Sequence, residues 1–277
     1  MLQSLFKMER LAPAIGAEIH GVNLSRPMDD VTFERIHDAL MRHQVVFFRD
    51  QDMDPDLHMA LATRFGAPLY SKKLQMYGDK YDSMSLLEND GSKIAIGALW
   101  HADNTDFESP PMGALLYCEV APSVGGDTIW ASMYAAYEAL AESTRAHIDR
   151  LTALHDNSNV RRRYAGQDML RGDGLVVGAP VEHPVVHRHP VTGRKALFVN
   201  SNYTQRIVGV SDTESQHLLH MLYEHITKPE FQVRFRWRAR SLAIWDNRCT
   251  QHYALDDYSE LRRMRRVQIT GARLQLA

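Results

Sequence analysis

The segment FERIHDALMRHQ sets Phe33, Ile36, Leu40 and Met41 at helical spacing in an otherwise polar stretch, which predicts an amphipathic helix. It runs straight into VVFFRD, a short, partly β-branched apolar run that reads as a buried strand. DPDLHMALATRFG opens on Asp-Pro and closes on Gly66, the start and stop signals of a second, short helix. From Ala67 to Ala98 neither period holds, and Lys72, Lys73, Tyr77, Tyr81 and Gly91 are scattered through the stretch. A long loop is expected over 68–99 and, since such loops in compact domains often cover sites, a lid.

Further along, GALLYCEVAP and GDTIWA read as strands split by the turn SVGG. Met133, Tyr137, Leu140, Ile148 and Leu151 give helical spacing over 133–151. Residues 156–180 are polar and Gly-rich, and the run Arg161, Arg162, Arg163 is expected in a solvated loop. The remainder alternates short strands (HPVVHRHP, KALFVNSNY, FQVRFRW, SLAIWDN and RRVQIT) with one helix over 212–226. Strands this short with turns between them predict a mainly β fold with flanking helices, a sandwich or jelly roll, in a single domain over 1–277.

Bulk numbers narrow the function classes. A net charge of −2 offers no long-range attraction to nucleic acid or anionic membrane, so neither is an expected partner. The apolar runs are far too short for a membrane span, and the first residues carry no signal-peptide pattern. Cys118 and Cys249 lie far apart, in no metal spacing, as befits free thiols in a reducing cytoplasm. A homo-oligomer is the expected assembly.

The stretch LWHADNTDF carries the chemistry. In a strand, residues two apart point the same way, so His101 and Asp103 would offer an imidazole and a carboxylate to one point. About one His-x-Asp pair is expected by chance in a chain with 14 His, and this chain has a second, His147 and Asp149. That second pair lies in helical spacing, where residues two apart diverge by about 200°, so only the first can chelate. A third ligand could be His252 in IWDNRCTQHYALDDY, which is otherwise an ordinary loop histidine. Two His and one carboxylate on one face of a metal is the ligand set of non-haem Fe(II) oxygenases. Ten residues on, ELRRMRRVQITG places Arg262 and Arg266 on one strand face with Met264 between them. They are either inward cations awaiting carboxylates or part of a solvated basic edge strand.

With those residues in view, the chain resembles the taurine dioxygenase family of Fe(II)- and 2-oxoglutarate-dependent dioxygenases. The resemblance runs through GAEIHGVNLSRPMDD, RHQVVFFRDQ, RFGAP, WHAD, PSVGGDTIW, HPVVHRHPVTGRKALFVN, WDNRCTQHYA and RRMRR. It implies a double-stranded β-helix and the iron ligands His101, Asp103 and His252. It also implies that Thr128 and a C-terminal Arg hold 2-oxoglutarate. Family spacing from the distal His points to Arg263, alignment on the strand to Arg262; Arg262 is preferred, because loops absorb deletions more easily than strands.

The same resemblance implies that O2 and 2-oxoglutarate are consumed, succinate and CO2 released, and an unactivated C–H bond of a small anionic organic substrate hydroxylated. Taurine-specific members carry a His and an Asn where this chain reads PLYSKKLQ and GAL, so taurine itself is not expected. Tyr70, Met76, Phe107 and Tyr203 could line an apolar pocket with Arg266 at the anionic end, suiting an alkyl sulfate, a sulfonate or an aryloxyalkanoate. Two other classes stay open: a non-catalytic metal-containing module that binds a small anion, and a metal-dependent hydrolase.

Overall fold

The computed structural model describes residues 6–70, 76–78, 80–165 and 176–277. In chain order the first half contains β1 (Lys7–Arg10), β2 (Ala17–His20), α1 (Asp30–His43), β3 (Val45–Phe48), α2 (Pro55–Phe65), β4 (Met76–Tyr77), β5 (Tyr81–Asn89), β6 (Gly113–Val120) and β7 (Thr128–Ser132). Then come α3 (Met133–Glu138), α4 (Glu142–Ile148), β8 (Thr152–His155), α5 (Ser158–Arg163), β9 (Val181–Pro184), β10 (Val186–Arg188), β11 (Lys195–Leu197) and β12 (Thr204–Ile207). The chain closes with α6 (Asp212–Ile226), β13 (Gln232–Phe235), β14 (Leu242–Asp246), β15 (Thr250–Ala254) and β16 (Arg262–Ile269).

The helices begin where local chemistry allows. Asp29 accepts from the Thr32 N–H to start α1, and Asp54 accepts from the Leu57 N–H to start α2, with Pro55 in the first turn. Ser211 and Glu214 form a reciprocal capping box on α6. The expected helix over 133–151 is two helices, α3 and α4, with Leu140 turned into the core between them.

Eight strands form one sheet in the order β1-β2-β3-β14-β6-β16-β5-β4, all antiparallel neighbours except β2 and β3. Strand alternation gives this sheet two buried faces. On one, Val46, Phe48, Leu115, Ile244 and Val267 pack with Ile36, Leu40 and Leu61 of α1 and α2. On the other, Phe47, Leu116, Trp245 and Met264 meet Trp130, Val233 and Phe235 of a smaller sheet, β13-β7-β15. Phe47 and Phe235 stack across the gap at 4.1 Å. The fold is mainly β, with helices outside the sheets.

Two sequence expectations change here, and one open alternative is decided. Within 68–99, residues Tyr81–Asn89 are not loop but strand β5, paired with β16 from Arg262↔Asn89 to Val267↔Met84; residues 71–75 and 79 of the expected lid lie outside the described residues. β16 sits between β6 and β5, so the Arg-rich strand is interior, not a solvated edge. The Arg161–Arg163 run is helix α5, and Arg163 Nη2 donates to Ala98 O at 2.7 Å. Residues 166–175 of that expected loop lie outside the described residues.

Candidate active site

His252 lies within β15, in the sheet facing the main one, and is not a loop histidine. It exchanges both backbone hydrogen bonds with His101: His101 N to His252 O at 3.1 Å, and His252 N to His101 O at 2.8 Å. This isolated bridge brings the two imidazoles side by side, with ring centroids 4.1 Å apart. Asp103 is not on a strand. It opens a turn whose next residue, Asn104, takes a left-handed φ of 47°. The carboxylate still arrives at the histidines: one ligand atom each from His101, Asp103 and His252 lie within 4.8 Å of one another, all three residues buried. The second pair behaves as its helical spacing demands. His147 is on α4, and Asp149 just beyond it is bound to Tyr137 and Lys195.

The side-chain partners leave the right atoms for a metal. His101 Nδ1 is 2.7 Å from Leu99 O, which makes it the donor and leaves Nε2 with a lone pair. Asp103 Oδ1 accepts from Arg266 Nη1 at 2.9 Å, while among the described residues buried Oδ2 has no hydrogen-bond partner, nor has His252 Nδ1. Burial alone would raise the Asp103 carboxyl, but Arg266, His101 and His252 hold it far below the usual carboxylate range. Burial, reinforced by His101, holds His252 well below the usual imidazole value, hence neutral. An ionised carboxylate and neutral imidazoles are the forms that bind a divalent metal.

The inner face of β16 supplies the cations. Arg262 is 6% exposed; its Nε donates to Gly126 O at 3.0 Å and its Nη2 lies 3.4 Å from Thr128 Oγ1. It forms no ion pair with any carboxylate among the described residues, and burial lowers its pKa. Thr128 Oγ1 accepts from Trp237 Nε1 at 2.9 Å. Gly126 is required beside it: φ is 68°, and a Cβ would sit 3.2 Å from Arg262 Cδ. Arg263 points to the other face, half-exposed between Glu88 and Glu119. Arg265 shares that outer face and is 3% exposed. It pairs with Glu119 at 3.0 Å, donates to His58 Nδ1 and Met53 O, and lies 4.2 Å over the Tyr117 ring.

Of the expected pocket residues, Tyr203 is buried close enough to feel Asp103, Asp106 and Arg266. Phe107 follows the Asp103 turn, its carbonyl 2.9 Å from His183 Nε2. Tyr70 is 52% exposed and Met76 half-buried in β4, so these two are not core walls. Arg266, expected at the substrate, is engaged with Asp103, though its Nε has no partner among the described residues. Sequence reasoning missed Asn247, whose side chain holds the Asp103 backbone, and Gln268, buried beside Arg266 and accepting from Asn104 Nδ2. For Gln268 the signal was present, since it shares the even-numbered face of the Arg strand.

A second buried cluster, His189, Asp246 and Cys249, also has ligand atoms within 4.8 Å. It is closed: the Asp246 oxygens accept from Arg248 and His189, and His189 Nδ1 accepts from Val191 and Thr192 N–H. A guanidinium already fills the place of a cation.

Known proteins share this arrangement's chain. The family model described as taurine catabolism dioxygenase TauD, TfdA family, matches residues 7–268. An alpha-ketoglutarate-dependent sulfate ester dioxygenase of Pseudomonas putida is 40% identical over 270 residues, covering 94% of this chain and 88% of that protein. An alkylsulfatase of Acinetobacter baylyi is 36% identical over 273 residues, covering 96% and 85% respectively. The crystal structure of a taurine dioxygenase from Burkholderia xenovorans matches with a TM-score of 0.82 at 35% identity, over 97% of this chain and 92% of that one. The chain belongs to the TauD/TfdA family and is a dioxygenase that uses Fe(II), 2-oxoglutarate and O2.

Proposed function

We propose that this enzyme hydroxylates an alkyl sulfate, or a related sulfonate or aryloxyalkanoate, at the carbon bearing the heteroatom. In this reading His101, Asp103 and His252 hold the iron, Thr128 and Arg262 hold 2-oxoglutarate, and Arg266, Tyr70, Phe107 and Tyr203 meet the substrate. The observation that carries it is Arg262, a buried guanidinium with no carboxylate partner among the described residues, on the same strand face as Arg266. A buried cation is costly unless a ligand completes it. When bound, iron and 2-oxoglutarate activate O2 to hydroxylate a C–H bond, with release of succinate and CO2.

The chain's own residues do the rest. Trp237 donates to Thr128 Oγ1, which leaves the hydroxyl hydrogen for a carboxylate oxygen. Arg262 can then meet the same carboxylate with its fork of donors. Arg266 braces Asp103 Oδ1 and keeps Nε for an anionic head group. Trp130 and Trp245 flank the His252 ring and exclude water from that side. Burial raises the Tyr203 pKa well above its ordinary value, so it stays a neutral hydroxyl. A sulfate ester hydroxylated at its α-carbon collapses by C–O cleavage to an aldehyde and hydrogen sulfate. The names of the sulfate ester dioxygenase and the alkylsulfatase support that substrate class.

The two packed sheets support a double-stranded β-helix in one domain. The net charge of −2 and the free, buried cysteines support a cytoplasmic protein acting on a small molecule. The outer edge of β1, exposed along its length, supports assembly as a homo-oligomer. The test is succinate production against a panel of alkyl sulfates, sulfonates and aryloxyalkanoates, under air and under argon. Substrate-stimulated succinate in air alone is expected; sulfate release under argon would mean hydrolysis, and no stimulation by any anion would overturn the substrate class.

A further inference from the structure

We infer that Asn247 is the positioning residue for Asp103, setting where this carboxylate stands relative to His252 and so how tightly the site holds its metal. Asp103 lies in a turn, where no sheet ladder holds its backbone. The Asn247 side chain takes the place of a ladder: Oδ1 accepts from Asp103 N at 2.7 Å, and Nδ2 donates to Asp103 O at 3.0 Å. Nδ2 also donates to Pro111 O at 3.2 Å, and Asn247 N donates to Met112 O at 2.9 Å. One amide thus spends its acceptor and both donors on the two ends of the irregular stretch between Asp103 and β6. It is 1% exposed, so each of these bonds would be expensive to leave unmade.

Where Asn247 sits explains what this accomplishes. It begins the turn from β14 into β15, the strand that bears His252. That turn is rigid: Thr250 Oγ1 donates to Asp246 O at 2.8 Å, and the buried Asp246 carboxylate is held by Arg248 and His189. His101 is registered on His252 through their backbone bridge. All three ligands are therefore referenced to one turn, His252 by chain connection, His101 by pairing, and Asp103 through Asn247. Arg266 orients the Asp103 carboxylate but does not touch its backbone hydrogen bonds.

The inference rests on the reading that these three residues hold the iron, and the experiment separates the two. Fe(II) dissociation constants are measured under argon for the wild type, Asn247→Leu, Gln51→Leu and His101→Ala. Gln51 is the control for lost bonding: its amide also accepts one backbone N–H (Leu24) and donates to two carbonyls (Val22 and Arg49), with no contact to the ligands. Leu is no smaller than either amide, so cavity effects are small. Asn247→Leu should weaken Fe(II) binding about 10–100-fold, the usual effect of losing a group that supports a ligand. Gln51→Leu should lower Tm comparably and leave Fe(II) affinity near the wild-type value. If His101→Ala loses metal while Asn247→Leu matches Gln51→Leu, the inference falls and the ligand reading stands; if His101→Ala keeps full affinity, the ligand reading itself falls. Should Asn247→Leu not fold, hydrogen exchange on the wild type decides: the Asp103 amide should be protected although it lies in a turn, and exchange at the rate of an open turn would overturn the inference.

Discussion

Replacing Arg262 by Gln should weaken ligand binding strongly while leaving folding stability nearly unchanged. Arg262 is 6% exposed, with two hydrogen bonds, to Gly126 O and Thr128 Oγ1, and no described carboxylate to neutralise it. In the free protein the guanidinium is therefore desolvated with little return. Once 2-oxoglutarate is bound, the same group makes a charge-assisted, bidentate contact in a dry site, whose loss typically costs about 2–5 kcal/mol. Arg262→Gln should then weaken 2-oxoglutarate binding by roughly one and a half to three and a half decades. Without 2-oxoglutarate the variant should unfold within about 4 °C of the wild type, because the lost bonds are offset by relief of a buried unpaired charge. Anaerobic calorimetric titration with Fe(II) present reads the affinity, and scanning calorimetry without ligand reads the stability. Arg263→Gln, on the opposite face and half-exposed, is the control and should leave 2-oxoglutarate affinity unchanged. If Arg263→Gln shows the large loss and Arg262→Gln does not, the register of β16 as a ligand-facing strand is wrong, and the roles of both inward arginines fall with it.

Arg265→Met should leave 2-oxoglutarate affinity intact but destabilise the fold by about 1–3 kcal/mol in urea unfolding, since Glu119 keeps Arg263 and Tyr77 while His58 Nδ1 and Met53 O lose their donor; an unchanged midpoint would refute this. His101→Ala and His252→Ala should abolish Fe(II)-dependent turnover, whereas His147→Ala, on its own helix, should turn over normally; equal loss at His147 in a folded protein would sink the assignment. Acid should destabilise the protein through His58, which burial and the neighbouring Arg265 lower to about 3. Its folded pKa lies below its unfolded one, so its contribution is whole above the unfolded value of about 6.5 and drains away as pH falls toward 3, about 2 kcal/mol being lost by pH 5. Urea midpoints at pH 7 and pH 5 for the wild type and His58→Gln check this, the variant being expected to show the smaller drop.

Local signals carried far in this chain. Asp29, Asp54 and Ser211 start α1, α2 and α6 because a cap needs only a side chain within three residues of its amide. The run Val45–Phe48 and the strands β14 and β16 were legible because central strands must be apolar or paired, and period two is written in consecutive residues. The same period separated Arg262 and Arg266 from Arg263 and Arg265, and the 3.6-residue period removed His147 and Asp149 from the site.

What the tertiary structure alone decided is everything set by partners far away in the chain. β5 has mostly half-buried positions and no clean alternation; it is a strand because β16, about 180 residues on, offers its edge. Arg265 looks like any outward cation in the sequence, and becomes buried because Glu119, His58 and Tyr117 meet it from β6 and α2. Asp103 joins His101 without strand geometry, since a turn held by Asn247, 144 residues later, carries its carboxylate to the same place. Arg266 reaches Asp103 across 163 residues. Periodicity and caps are short-range physics and can be read along the chain; pairing partners and buried charge neutralisation depend on which distant segments come together, and only the fold supplies that.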